Sequence, residues 1–137
     1  MPIRFVVFAS VLCLVIGSAG CSGGDGKLAV DRTPSVAPPA GYHFGVVVSR
    51  AGALQDTSEG PLGLQSGGDT WTVKPGAYDV KVAYFPCDQT CSVAGISARV
   101  QAAPMSCQAH VNVRSDKTTR VSTTYDRGVV ACNPTSQ

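Results

Sequence analysis

The feature that most constrains the fold is the strand pattern of residues 78–84, which lies within the segment 70–91. Its apolar and polar residues alternate with a period of two, as in a strand with one buried face. The apolar set is Tyr78, Val80, Val82 and Tyr84, and the intervening set is Asp79, Lys81 and Ala83. Upstream, Pro75 and Gly76 suit the central positions of a type II turn, because proline fixes a negative φ and glycine accepts a positive one. We therefore predict a β-hairpin that pairs this strand with one containing Trp71 and Val73.

Three further segments carry the same alternation. Residues 42–49 form one predicted strand, and residues 109–113 and 121–126 form a second hairpin through the polar turn at 115–117. The segment 50–69 is polar and punctuated by glycine, so it predicts a loop with room for one short strand. The fifteen residues between Cys91 and Cys107 predict a functional loop or a stapled connection without a helix. Charged residues make up only 15% of the chain, which suits strands and turns, and the fold class is all-β.

Residues 1–20 have the organisation of a signal peptide. The single cation Arg4 precedes the apolar run 5–16, and small residues follow at 17–20. Residues 5–20 number 16, fewer than the roughly 20 that a membrane-spanning helix needs. An uncleaved anchor is the alternative. A chain of 137 residues less this leader leaves 117, which is room for one domain.

The end of the leader, Ser18-Ala19-Gly20-Cys21, resembles a bacterial lipobox. The last three positions match its usual form, and Ser18 departs from the aliphatic residue preferred at the first. The resemblance implies that Cys21 receives a diacylglyceryl group with palmitate-type chains and becomes the new N-terminus. It implies a lipoprotein anchored to the cell membrane on its extracytoplasmic face. Two acyl chains suffice for stable anchoring.

The cysteine count agrees with acylation. Loss of Cys13 with the leader leaves five cysteines, and acylation of Cys21 leaves four, an even number that can pair. The alternative is a secreted protein with one odd cysteine. Residues 21–41 are rich in Gly, Ser and Pro and predict a lipidated cysteine followed by a disordered tether. Such a tether would hold a domain of residues 42–137 about 25 Å from the bilayer.

The four remaining cysteines predict a disulfide framework at one end of the sheet. They are Cys87, Cys91, Cys107 and Cys132. Three pairings are possible, and we favour Cys87–Cys91 across the short loop with Cys107–Cys132 closing the last hairpin. A thiol-based metal or redox site at Cys87 and Cys91 is the alternative. It is disfavoured because the spacing is CxxxC and because an exported protein sits where thiols oxidise.

A resemblance to known sandwiches rests on residues 73–82, the PCDQTC run at 86–91, Cys107 and Cys132. The first segment resembles the carboxypeptidase regulatory-like or transthyretin-like domain, and the cysteine pattern is similar to that of small actinobacterial lipoproteins. The resemblance implies a small antiparallel Greek-key sandwich of the prealbumin type, with about seven strands. It implies no catalytic activity.

Candidate sites are few. His43 and His110 lie on outward parity without a carboxylate at ligand spacing, so we interpret them as solvated strand residues. Residues 95–99 fall short of a GxSxG nucleophile elbow. The acidic residues of the 50–69 segment, Asp56, Glu59 and Asp69, lack the spacing of a calcium loop. The aromatic residue on outward parity is Phe85, which together with Gly95 predicts a candidate ligand rim.

These observations predict a non-enzymatic lipoprotein without cofactor or metal. Its partners would be the membrane, through Cys21, and an envelope protein or glycan. Eleven basic against nine acidic residues leave no basic field of the kind that nucleic acid requires. The first alternative is a carbohydrate- or small-ligand-binding module that uses the rim at Phe85 and Gly95, and the second is the thiol-based metal or redox site.

Overall fold

The computed structural model describes residues 23–34, 37–50, 53–61, 68–87 and 93–136, which form strands and one helix. In chain order the elements are β1 (Gly26–Pro34), β2 (Tyr42–Arg50), β3 (Ala53–Pro61), β4 (Asp69–Val73), β5 (Gly76–Pro86), α1 (Val93–Ala102), β6 (Met105–Val113), β7 (Thr118–Asp126) and β8 (Val129–Ser136). The chain is mostly β, as predicted.

The strands form two sheets of four that pack face to face. The first sheet has the order β4-β1-β7-β8, and the second has the order β3-β2-β5-β6. All neighbours are antiparallel except β1 and β7, which run parallel. The core between the sheets contains the predicted alternating residues of β5, and Tyr84 lies between Phe44 and Tyr125 with ring centroids 5.1 Å from each. The prediction of a β-sandwich is confirmed.

The predicted disordered tether is wrong for residues 26–34. They form β1, a central strand of the first sheet that lies between β4 and β7. Leu28 and Val30 are fully buried in the core. The apolar run of this strand is too short to stand out between glycines and prolines, and its parallel partner β7 lies some ninety residues further along the chain. The sandwich therefore begins well before residue 42. Residues 21–22 and 35–36 lie outside the described residues.

Both predicted hairpins are wrong in the same way, because their strands lie in different sheets. β4 belongs to the first sheet and β5 to the second, so Pro75 and Gly76 form a corner between sheets. Gly76 has a φ of 149°, which favours glycine. Likewise β6 and β7 lie in opposite sheets, and the hairpin partner of β7 is β8, through Arg127 and Gly128. Alternation shows that a strand has two faces, and it does not show which sheet the strand joins.

Two segments predicted as irregular are regular. β3 pairs along its length with β2, and α1 occupies part of the connection expected to lack a helix. The helix packs on the outer face of the second sheet, against Gly45 of β2. A Cβ at Gly45 would lie 2.6 Å from Val100 Cγ2 and 2.7 Å from Phe85 Cε1, so this position admits the helix because it has no side chain. A second buried cluster results, made of Val47, Ala83, Phe85, Cys87, Ile96, Val100 and Ala103.

No helix within the described ranges has the length and apolar character needed to cross a membrane.

Candidate functional site

The predicted ligand rim at Phe85 and Gly95 is wrong in its placement. The Phe85 side chain is only 3% exposed, because it lies beneath α1 in the second buried cluster. Gly95 is half-buried within the helix itself. Phe85 lies on the outer face of β5, as its parity predicted, but α1 covers that face at the level of Phe85. The aromatic ring therefore packs in a core and is not available to stack on a sugar.

The structure contains the predicted disulfide Cys107–Cys132, whose Cα atoms are 5.6 Å apart. It joins β6, at an edge of the second sheet, to β8, at an edge of the first. Cys87 is also disulfide-bonded and is buried under the helix. Its predicted partner Cys91 lies outside the described residues, as does Cys21.

His110 has a carboxylate partner that the sequence did not reveal. Its Nδ1 is within hydrogen-bond distance of the carboxylate of Asp79, the residue opposite it in the β5–β6 register. The pair borders an open depression of about 470 Å³ on the outer face of the second sheet. On the other side of Asp79 the register places Ser49. The carboxylate, and not the imidazole, is thus the neighbour of the hydroxyl, so the arrangement does not fit general-base activation of a serine.

His43 packs against the Phe85 ring, with centroids 6.5 Å apart. Among the described residues no three His, Cys, Asp or Glu side chains gather in a group that could hold a metal ion.

The outer face of the first sheet is the largest feature that the sequence analysis did not identify. Its outward positions alternate with the core residues of β1, β4, β7 and β8 and consist largely of small hydroxyl and amide side chains. We call this surface the hydroxyl face, and it comprises Thr33, Thr70, Thr72, Thr118, Ser122, Thr124, Asn133 and Thr135. All eight are exposed or partly exposed. The helix lies on the opposite sheet, and no described element packs on this one.

An ion pair neutralises the middle of the hydroxyl face. Arg120 donates a hydrogen bond to the Asp31 carboxylate from the neighbouring strand. Ala29 stands beside Arg120 in register and is almost fully buried. A signal of this face is present in the sequence of β7, where the outward positions before Asp126 are Thr118, Arg120, Ser122 and Thr124. Without its neighbours, however, this pattern looks like any solvated strand.

At the end of the sandwich where β1 finishes, Arg32 enters the space between the sheets. Its guanidinium lies 4.4 Å from the centroid of the Phe44 ring and forms a 3.2 Å ion pair with Asp69 of β4. The nearby Tyr84 hydroxyl and Arg32 Nε are both buried and have no hydrogen-bond partner among the described residues. Burial raises the pKa of Tyr84, the positive charge of Arg32 lowers it, and Tyr125 raises it. Arg32 thus connects β1 to β4 in its own sheet and to β2 in the second sheet.

Comparisons with known proteins give no family. No protein-family model matches the chain, and no curated protein matches it. Among solved structures, the chain is similar to a crystal structure described as "a putative cell adhesion protein from Bacteroides ovatus ATCC 8483", with 7% sequence identity and a TM-score of 0.46. The match covers 82% of this chain and 44% of that one. This chain therefore corresponds to less than half of that protein's length.

Proposed function

We propose that this chain is an exported, lipid-anchored, non-catalytic β-sandwich that presents the hydroxyl face to a protein partner in the cell envelope. One observation carries the proposal: none of the described elements packs on the outer face of the first sheet, while the second sheet has α1 packed on it. An exposed sheet face with an ion pair at its centre and mainly small residues around it is suited to contact with a flat partner surface.

The dimensions of the hydroxyl face support a protein as its partner. In this sheet β1 and β7 have nine residues, β8 has eight and β4 has five, so four strands about 4.8 Å apart give a surface of at most about 19 by 30 Å. That flat area is of the same order as the accessible surface that one protein contributes to a standard interface, about 800 Å². Threonine side chains are restricted at χ1, so they lose little entropy on binding. None of the outward residues of the hydroxyl face is aromatic, so it offers no stacking platform of the kind that favours a sugar ligand.

The placement of the cysteines supports an acyl anchor on Cys21. Cys87 follows the end of β5, and its amide donates a hydrogen bond to the Gly41 carbonyl, next to the start of β2. Gly23 lies at the opposite end of the sandwich, next to Ser115. The nine residues of β1 separate the two ends by about 30 Å, whereas two residues of chain reach about 7 Å. This separation argues against a Cys21–Cys87 bond, and it is consistent with Cys91 as the partner of Cys87 and with an acyl group on Cys21.

The anchor is tested with a Cys21→Ser variant. We expect the wild-type protein to enter the detergent phase on Triton X-114 partition and to carry a diacylglyceryl mass, and the variant to remain in the aqueous phase. Ser22→Ala is the matched control and should behave as wild type. A wild-type protein that lacks the added mass would contradict the anchor.

The hydroxyl face is tested by site-specific photo-crosslinking in intact cells. A photoreactive residue at Thr124, on this face, is compared with one at Gln108, an exposed residue on the outer face of the second sheet. We expect a discrete protein adduct from Thr124 that Ser122→Arg abolishes, and no such adduct from Gln108. Equal labelling from both positions would refute the assignment. Binding to purified cell-wall glycan that Ser122→Arg blocks would identify a glycan partner in place of the protein.

A further inference from the structure

Because residues 26–34 form a strand and not a tether, the proposed anchor lies close to one end of the sandwich. β1 starts at Gly26, and residues 23–25 already contact the β6–β7 corner. The Asp116 amide donates a hydrogen bond to the Asp25 carbonyl, and a Cβ at Gly23 would lie 2.4 Å from Ser115 Oγ. Only Ser22 separates these residues from Cys21. Since two residues of chain span about 7 Å, acyl chains on Cys21 must leave the protein at this end, which we call the basal end.

The basal end comprises the start of β1, the corner between β4 and β5, the end of β2, the corner between β6 and β7 and the end of β8. Its basic side chains outnumber its acidic ones by five to two. They are Lys27, Arg50, Lys74, Arg114 and Lys117, against Asp25 and Asp116. The chain as a whole has a net charge of only +2, so the remainder of the molecule is not positive. The excess positive charge is concentrated where the anchor attaches.

Two of the five basic side chains of the basal end, Lys74 and Arg50, interact with neighbouring residues. Lys74 is paired with Asp25 at 2.8 Å, an interaction that raises the pKa of the lysine. Arg50 turns inward and donates a hydrogen bond to the Tyr78 hydroxyl at 3.4 Å. Arg114 and Lys117 lie on the β6–β7 corner and are exposed, as is Lys27. Arg114 lies next to Gly26 at the start of β1, and Lys27 and Lys117 line a depression there together with Asp25, Asp116 and Thr118.

We infer that the basal end, and Arg114 and Lys117 in particular, rests on the anionic headgroups of the membrane that holds the anchor. The inference depends on the proposed acylation of Cys21. A domain held within about 7 Å of its lipid keeps its basal charges within a Debye length of the headgroups, which is about 8–10 Å at physiological ionic strength. The strands then stand on the membrane, and the hydroxyl face is presented sideways to a partner in the same envelope layer.

The test uses the acylated protein purified from membranes and reconstituted in vesicles of either neutral phosphatidylcholine or a mixture with 30% phosphatidylglycerol. Hydrogen exchange at the amides of residues 114–118 reports contact at the basal end, and residues 126–129 report the opposite end. We expect exchange at 114–118 to slow about fivefold on the anionic vesicles relative to the neutral ones, as one basic contact with an anionic surface would produce. In 1 M salt, where the Debye length falls to about 3 Å, this difference should vanish.

Arg114→Gln and Arg127→Gln form a matched pair, because each removes one exposed arginine from a turn and they lie at opposite ends of the sandwich. Arg114→Gln should weaken the protection, Arg114→Gln with Lys117→Gln should abolish it, and Arg127→Gln should leave it unchanged. An acylated protein with equal exchange on both vesicle types, or with protection at residues 126–129, refutes this inference and leaves the anchor intact. A chain that carries no acyl group refutes both.

Discussion

Replacement of Leu28 by alanine tests whether residues 26–34 are a central strand or a linker. Leu28 is fully buried between the sheets, opposite Trp71 in β4 and Thr119 in β7. The substitution removes roughly three buried carbon groups, each contributing about 0.8 kcal/mol, and leaves a cavity that adds a further penalty. We expect Leu28→Ala to lower the free energy of unfolding by about 3 to 4 kcal/mol. For a domain of this size the melting temperature should fall by about 14 °C.

Urea unfolding followed by tryptophan fluorescence measures this difference, since Trp71 packs against the same core. Lys27→Ala is the control, because Lys27 is exposed on the neighbouring position of the same strand and should change stability by less than about 0.5 kcal/mol. Val30→Ala removes less volume at an equally buried position and provides a measurable variant if Leu28→Ala does not fold. A linker would give no difference among these variants, and a loss below about 1 kcal/mol for Leu28→Ala would refute the strand.

Three further predictions concern the core and its staple. Replacing both Cys107 and Cys132 with alanine should lower the free energy of unfolding by about 3.5 kcal/mol, because the bond closes a loop of sequence separation 25. Urea titration measures this loss, and an unchanged free energy of unfolding would contradict the prediction. Burial raises the pKa of Tyr84 above the ordinary value of 10.0. The free energy of unfolding should therefore not change through this group below about pH 10, and it should fall as the pH rises from there through the folded-state pKa. Tyr84→Phe should remove this component of the decline and leave the component due to Lys74, whose pKa is also raised; identical pH profiles of unfolding would contradict the assignment. Gly45→Ala should destabilise by about 1 to 3 kcal/mol by pushing α1 away from β2, and unchanged helical circular dichroism and stability would show that the helix does not approach so closely.

The sequence alone determined the fold class and much of the core. Strict alternation in residues 78–84 marked Tyr78, Val80, Val82 and Tyr84 as one buried face, and all four lie in the core. The same signal located the cores of β2, β6 and β7. The favoured pairing of Cys107 with Cys132 is confirmed. These predictions succeeded because the period of a strand is a local property and the number and spacing of cysteines can be read from the sequence.

The tertiary structure decided which faces are covered and which strands are neighbours. Phe85 and the hydroxyl face both lie on outward parity, yet α1 buries the first and no described element packs on the second. β1 belongs to the first sheet because it pairs in parallel with β7, far along the chain. The two strands of each predicted hairpin lie in opposite sheets. The alternation of residues along a strand shows that the strand has two different faces. Only long-range packing determines what lies against each side, and therefore which faces of the sandwich remain exposed.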